Sequence, residues 1–209
     1  SVVVDDCHGA YEITKYLIEN GHTRIGVIMG KSDSIHAQSR LVGYQEALFD
    51  SGILYSPGFV TEGDWNRESG YEGITKLLAK DITAVFCMND LMAGGVYDRL
   101  AELGMTVGED LSVVGYDNRE LSSYYNPPLT TIDLPLHDIG YRASEIMIEM
   151  LEGREISEED SVCAVECTRR IRKSVKDISG KNMSEKNASE KNASEKNPSE
   201  KNPSEKIPE

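Results

Sequence analysis

Short apolar runs alternate with amphipathic stretches along most of this chain, and that rhythm constrains the fold more than any other feature. Residues 24–29 (RIGVIM), 83–87 (TAVFC) and 111–115 (LSVVG) are apolar almost without interruption. A run of that kind reads as a strand buried on both faces. Between the runs, apolar residues recur at helical spacing: Ala10, Ile13 and Leu17; Leu41, Tyr44, Ala47 and Leu48; Tyr71, Ile74, Leu77 and Leu78; Met92, Ala93, Val96 and Leu100. Gly21, Gly52 and Gly104 stand where three of these helices should stop, and Asn66 and Asn89 or Asp90 where two should begin. Shorter strands are expected at 2–4, 59–61, 130–132 and 162–167. Strands and helices in strict alternation, with short connections, predict an α/β fold: a parallel sheet with helices on both faces.

Two segments stand apart. A strongly amphipathic helix carries Ile139, Ala143, Ile146, Met147, Met150 and Leu151 on one side and ends before Gly153. From Ser184 the chain repeats every five residues (SEKNA, SEKNA, SEKNP, SEKNP, SEKIP) with almost nothing apolar. Neither helix nor strand has that period, so disorder is expected from about Lys173 onward. The chain starts in an apolar strand without a Met, which reads as a fragment.

Composition narrows the function. The net charge is -14, from 36 acidic and 22 basic residues. Such a surface repels phosphate backbones, so this segment is not expected to bind nucleic acid by itself. No run is long enough to span a membrane, no signal peptide opens the chain, and Cys7, Cys87, Cys163 and Cys167 form no Cys-x-x-Cys pair. A reduced, cytoplasmic setting fits. Gly30-Lys31-Ser32 resembles the end of a phosphate-binding loop, but position 25 holds Ile, not the required Gly. No dinucleotide fingerprint, nucleophile elbow or zinc spacing is present. An enzyme is not expected, nor a catalytic residue, metal or cofactor.

In open parallel sheets, ligands bind beyond the carboxyl ends of the strands. The polar residues there include Arg40, Trp65, Asn89 and Asp117. Forked donors, carboxylates and amides grip polyols, and an aromatic face covers the apolar side of a ring. Each residue also has a plainer reading: Asn89 and Asp90 as helix caps, Asp117 as a loop organiser, Arg40 as a surface ion pair, Trp65 as packing.

Six stretches resemble the lactose-repressor family, which includes the lactose, galactose and purine repressors. They are Gly21-His22-Thr23-Arg24-Ile25, Arg40-Leu41-Val42-Gly43-Tyr44, Glu62-Gly63-Asp64-Trp65 with Ser69-Gly70, Thr83 to Phe86 with Asn89 to Gly94, Asp110 to Asn118, and Pro127 to Ile132. Their order and spacing cover residues 2 to about 172. The resemblance implies the sensor part of a repressor built from a helix-turn-helix head, a hinge helix and a two-lobed effector domain of periplasmic-binding-protein-like (type I) fold. On that pattern, 10–131 is the C-terminal lobe, 1–9 and 132–172 belong to the N-terminal lobe, and 173–209 lies outside the family. The helix over 136–151 would lack partners for its apolar face.

By position, the implied effector contacts are Ser34, His36, Arg40, Trp65, Asn89 and Asp117. Ser34 and His36 depart from the lactose and purine repressors, which leaves the ligand open. Trp65, where the purine repressor has Phe, suits a sugar ring or a base; with no second aromatic to stack a base, a sugar or sugar phosphate is preferred. The implied partners are this effector, operator DNA through the head, and a second copy of the chain docked near the helix after Asn66. The alternative on the same fold is a sugar-binding protein serving a transporter. Both Arg40→Ala and Asp117→Ala are expected to weaken binding at least tenfold without unfolding the protein.

Overall fold

The structure is a computed structural model, and it describes residues 2–154 and 163–180. Four strands form the central sheet: β2 (Ile25–Met29), β3 (Val60–Glu62), β4 (Ala84–Cys87) and β5 (Ser112–Val114). They are all parallel, in the order β3-β2-β4-β5. Every residue of β2, β4 and β5 is buried, as expected of nearly continuous apolar runs.

The helices are α1 (Asp6–Glu19), α2 (Ile35–Asp50), α3 (Arg67–Leu77), α4 (Asp90–Glu102) and α5 (Leu136–Leu151). The chain steps from β2 outward to β3 and then back across β2 to β4. Right-handed crossovers in opposite directions put α2 and α3 on opposite faces of the sheet. α1 packs on α2, and α3 on α4. At the first contact, a Cβ on Gly43 would collide with the Cys7 carbonyl. Glycine there lets α1 and α2 approach closely enough for the start of α1 to reach α2.

The remaining strands are β1 (Val2–Val4), β6 (Thr131–Asp133), β7 (Cys163–Val165) and β8 (Thr168–Arg170). β1 pairs in parallel with β7, and β6 antiparallel with β8. The strand expected over 162–167 is present as β7, with β8 following just beyond it in a second sheet, and Val162 lies outside the described residues. Ile132 and Cys167 join the core of the central sheet. No residue of α5 is buried, and Leu151 is 82% exposed. The apolar face of α5 is only partly covered among the described residues: the helix packs on β1 with Ile139 and Ile146 half-buried, while Met147, Met150 and Leu151 stay exposed.

The expectation of disorder from Lys173 is corrected for residues 173–180. Ser174 is fully buried: its hydroxyl donates to the Val113 carbonyl and accepts from the Thr130 amide. The Val113 amide donates to the Ser174 carbonyl, the Lys176 amide to Ser112 Oγ, and the Ile178 amide to the Asn20 carbonyl. Buried His22 lies 3.0 Å from the Lys176 carbonyl through Nε2 and 2.9 Å from Thr83 Oγ1 through Nδ1. Burial holds its pKa below the usual histidine range. The segment thus covers the open edge of β5, an edge that would otherwise expose unpaired backbone groups. The repeats from Ser184 lie outside the described residues. Truncation after Arg172 is expected to lower the melting temperature by several degrees. Truncation after Gly180 should leave it unchanged, since the repeats have no apolar surface to bury. Differential scanning calorimetry of the two truncations checks both.

Candidate effector site

The order β3-β2-β4-β5 places a switch point between β2 and β4, where successive connections leave in opposite directions and a crevice opens at the carboxyl ends. All six residues singled out from the sequence line one cavity there, of about 280 Å³, joined by Arg119. Ser34, His36 and Arg40 come from the loop and helix after β2, Trp65 from the loop after β3, Asn89 from the end of β4 and Asp117 from the loop after β5.

Arg40 sits at the centre and is only 6% exposed. Its Nε donates to Asp6 Oδ1 at 2.7 Å, its Nη1 donates to the Met88 carbonyl and stands 3.6 Å from Asp117 Oδ1. The guanidinium carbon sits over the Tyr116 ring, 3.7 Å from its centre, and 5.7 Å from the centre of the Trp65 ring. Stacking on two aromatic faces offsets part of the cost of burying the charge. Its Nη2 has no hydrogen-bond partner among the described residues. Removing Arg40 would leave the buried Asp6 carboxylate without its permanent cation and with His36 as its single partner. Arg40→Ala should therefore act on the fold as well as on binding, because the residue braces the site that it lines.

Asp117 is also partly buried. Burial pushes its carboxyl above the usual aspartate range, while Arg40 and Arg119 draw it back. Its backbone is left-handed (φ 103°), as are Asn118 (51°) and Trp65 (61°). Such residues cost about 1–3 kcal/mol each and persist where surrounding contacts over-determine them. Here the contacts are the Asp117 amide to the Ile132 carbonyl, Arg172 Nη2 to Asn118 Oδ1 and the Arg119 amide to Asp90 Oδ2.

Asn89 performs the capping role and more. Its Oδ1 accepts from the Met92 amide, and its Nδ2 donates to the Trp65 carbonyl, which fixes the left-handed turn. Trp65 in turn lies across Gly30, where any Cβ would strike the indole. Gly30 therefore makes room for the ring, which explains a glycine that a phosphate-loop reading leaves unexplained. Ser34 precedes α2, but its side chain makes no cap bond and has no partner among the described residues.

Asp6, Arg119 and Asp90 are the residues that the motif pattern did not single out for the site. Asp6 binds both Arg40 and His36. Its signal was its place just beyond the first strand, shared with its capping neighbour Asp5, which accepts from the His8 amide. Arg119 follows Asp117 by two residues and meets it at 3.5 Å. Asp90 is fully buried, accepts from Thr131 Oγ1 at 2.6 Å, and is pushed up to about 7 by burial. Among the described residues no His, Cys, Asp or Glu cluster could hold a metal, and no helix is long and apolar enough to cross a membrane.

Residues 14–175 match the periplasmic binding protein-like domain family. The chain belongs to that family, and it is similar to regulators of the lactose-repressor (LacI) type. It is 43% identical over 170 residues to the HTH-type transcriptional repressor PurR of Pasteurella multocida, covering 80% of this chain and 50% of the repressor. It superposes with a TM-score of 0.78 and 30% identity on a sugar-binding transcriptional regulator of the LacI family from Escherichia coli complexed with phosphate, over 85% of this chain and 63% of that one. A LacI family regulator from Enterococcus faecium with bound ribose gives a TM-score of 0.76 at 26% identity, over 85% and 66%. The chain spans about half the length of the curated relatives that it matches.

Proposed function

We propose that this chain is the effector-sensing part of a DNA-binding transcriptional repressor, and that its effector is a sugar or sugar phosphate. The convergence of side chains from four successive strand ends on one cavity carries the reading. Arg40 Nη2, the Ser34 hydroxyl, Asp117 and the Trp65 ring together offer forked donors, acceptors and an apolar face to a polyol. The contacts within the site account for the bracing; the unpartnered Arg40 Nη2 and Ser34 hydroxyl are left for a ligand. The bound ribose of the Enterococcus faecium regulator supports the sugar class. The curated relatives are repressors, which favours this reading over a binding protein of a transport system.

In the intact protein the effector shifts a two-state equilibrium of lobe orientation, by no more than its differential affinity for the two states. The intact regulator is a cytoplasmic homodimer without enzymatic activity, and a separate head contacts DNA, because the -14 charge of this segment opposes it. The exposed side of α3 is the dimer surface. The test uses intact protein and genomic DNA fragments that it retains. A gel-shift series with D-ribose, D-glucose, ribose 5-phosphate and adenine should show at least one saccharide changing DNA affinity. A response to adenine alone would replace the sugar with a base. Hydrolysis or chemical change of the ligand would replace the repressor with an enzyme.

A further inference from the structure

Asp6 opens α1 and is 3% exposed, yet its two oxygens serve different residues of the neighbouring helix. Oδ1 accepts from Arg40 Nε, and Oδ2 lies 2.6 Å from His36 Nδ1. A carboxylate can only accept, so Nδ1 carries the hydrogen in that bond. In the neutral ring the lone pair is then on Nε2. Nε2 has no partner among the described residues, and His36 lines the cavity. The histidine side chain is 58% exposed and the aspartate 4%, a buried anchor under an open tip.

We propose that Asp6 is a positioning residue of this site, and that through it His36 presents a hydrogen-bond acceptor to the effector. The inference rests on the cavity being the effector site and specifies one atom of the ligand. The group opposite Nε2 is a donor, a hydroxyl or a ring N–H. While the ring is neutral, a phosphate or carboxylate oxygen is disfavoured at that position, because two acceptors would face each other.

Asp6→Asn tests this because Arg40 dictates the orientation of the new amide. A guanidinium has donors only, so the amide oxygen must stay on Arg40 Nε. The amide nitrogen then faces His36 Nδ1 and donates to it. The ring must accept at Nδ1 and carry its hydrogen on Nε2. One substitution turns His36 from acceptor to donor with the ring in place.

The experiment is 15N spectroscopy of the histidine rings in the intact protein at pH 8.5, with His36→Gln to assign the signal. Wild type should show a protonated Nδ1 and a bare Nε2, and Asp6→Asn the reverse. A wild-type ring with its hydrogen on Nε2, or a tautomer unmoved by the substitution, overturns the inference. Should Asp6→Asn fail to fold, the wild-type spectrum still decides. D-ribose and D-glucose are titrated against Trp65 emission in the same samples. A sugar that binds wild type should bind Asp6→Asn at least tenfold more weakly, and equal affinity overturns the inference. If neither sugar binds, nor ribose 5-phosphate added to the same samples, while the tautomers are as stated, the proposed effector class fails and the His36 geometry stands.

Discussion

Replacing Arg40 by alanine is expected to destabilise the folded chain by about 3–5 kcal/mol, the cost of stranding a buried charge. The stranded charge is Asp6, which is left with a single partner, His36, of which only the ring edge reaches it. The Met88 carbonyl loses its donor, and the Tyr116 ring loses the cation stacked on it. At the open side the same change removes Nη2 from the cavity. Arg40→Lys keeps the charge but not the fork, so it should recover most of the stability and little of the affinity. Chemical denaturation and effector titration on the same two variants separate these effects. A folded Arg40→Ala of unaltered stability would show that Asp6 does not depend on Arg40.

Asp90→Asn is expected to act in the opposite direction at neutral and alkaline pH. Burial pushes Asp90 up to about 7 from its ordinary 3.8, against the opposing pull of Thr131, the Arg119 amide and Arg172. The folded protein therefore binds this proton more tightly than the unfolded chain does. The stabilisation is complete below pH 3.8 and lost as pH rises through about 7. At about 1.4 kcal/mol per pH unit, the charged carboxylate costs roughly 4 kcal/mol at pH 8 relative to a neutral group. Asparagine fits the same contacts. Its oxygen accepts from the Arg119 amide, its nitrogen meets Thr131 Oγ1, and the threonine hydroxyl turns to the Ile132 carbonyl at 3.5 Å. The variant should be more stable than wild type at pH 8 and show a flatter stability profile between pH 4 and 8. Stability curves that run parallel across that range would show that Asp90 titrates as an ordinary carboxyl. The loop held by Asp90 carries Asp117, so its proton is also coupled to the effector site.

The sheet was legible because β2, β4 and β5 lie in nearly unbroken apolar runs set between amphipathic helices. Arg40, Trp65, Asn89 and Asp117 were legible as a set because the carboxyl ends of parallel strands share one edge. Asp6 was not, since Asp5 and Asp6 are chemically identical neighbours. Only the packing of α1 on α2 decides which of them caps a helix and which turns inward. Residues 173–180 were missed for a different reason. Ser174 and Lys176 attach through backbone groups and hydroxyls, and Val175 is the one apolar side chain among the first five residues to pack on the core. Edge pairing of this kind leaves almost no trace in hydrophobic periodicity. Burial of Arg40 was equally invisible, because its partners Asp6, Met88 and Tyr116 come from three separate elements.

Trp65 is the single tryptophan of this sequence and lines the cavity, so the difference in emission between the protein and its Trp65→Phe variant reports on the site. The most direct measurement is a saturation titration of that emission in the intact protein with D-ribose, D-glucose and ribose 5-phosphate, repeated with Asp117→Ala. At least one of the three should change the emission saturably in wild type, and Asp117→Ala should weaken that ligand at least tenfold, or about 1.4 kcal/mol, while its melting temperature shows it folded. Saturable binding with the same affinity in Asp117→Ala, or no response to any of the three, would contradict the assignment of this cavity as a sugar-effector site.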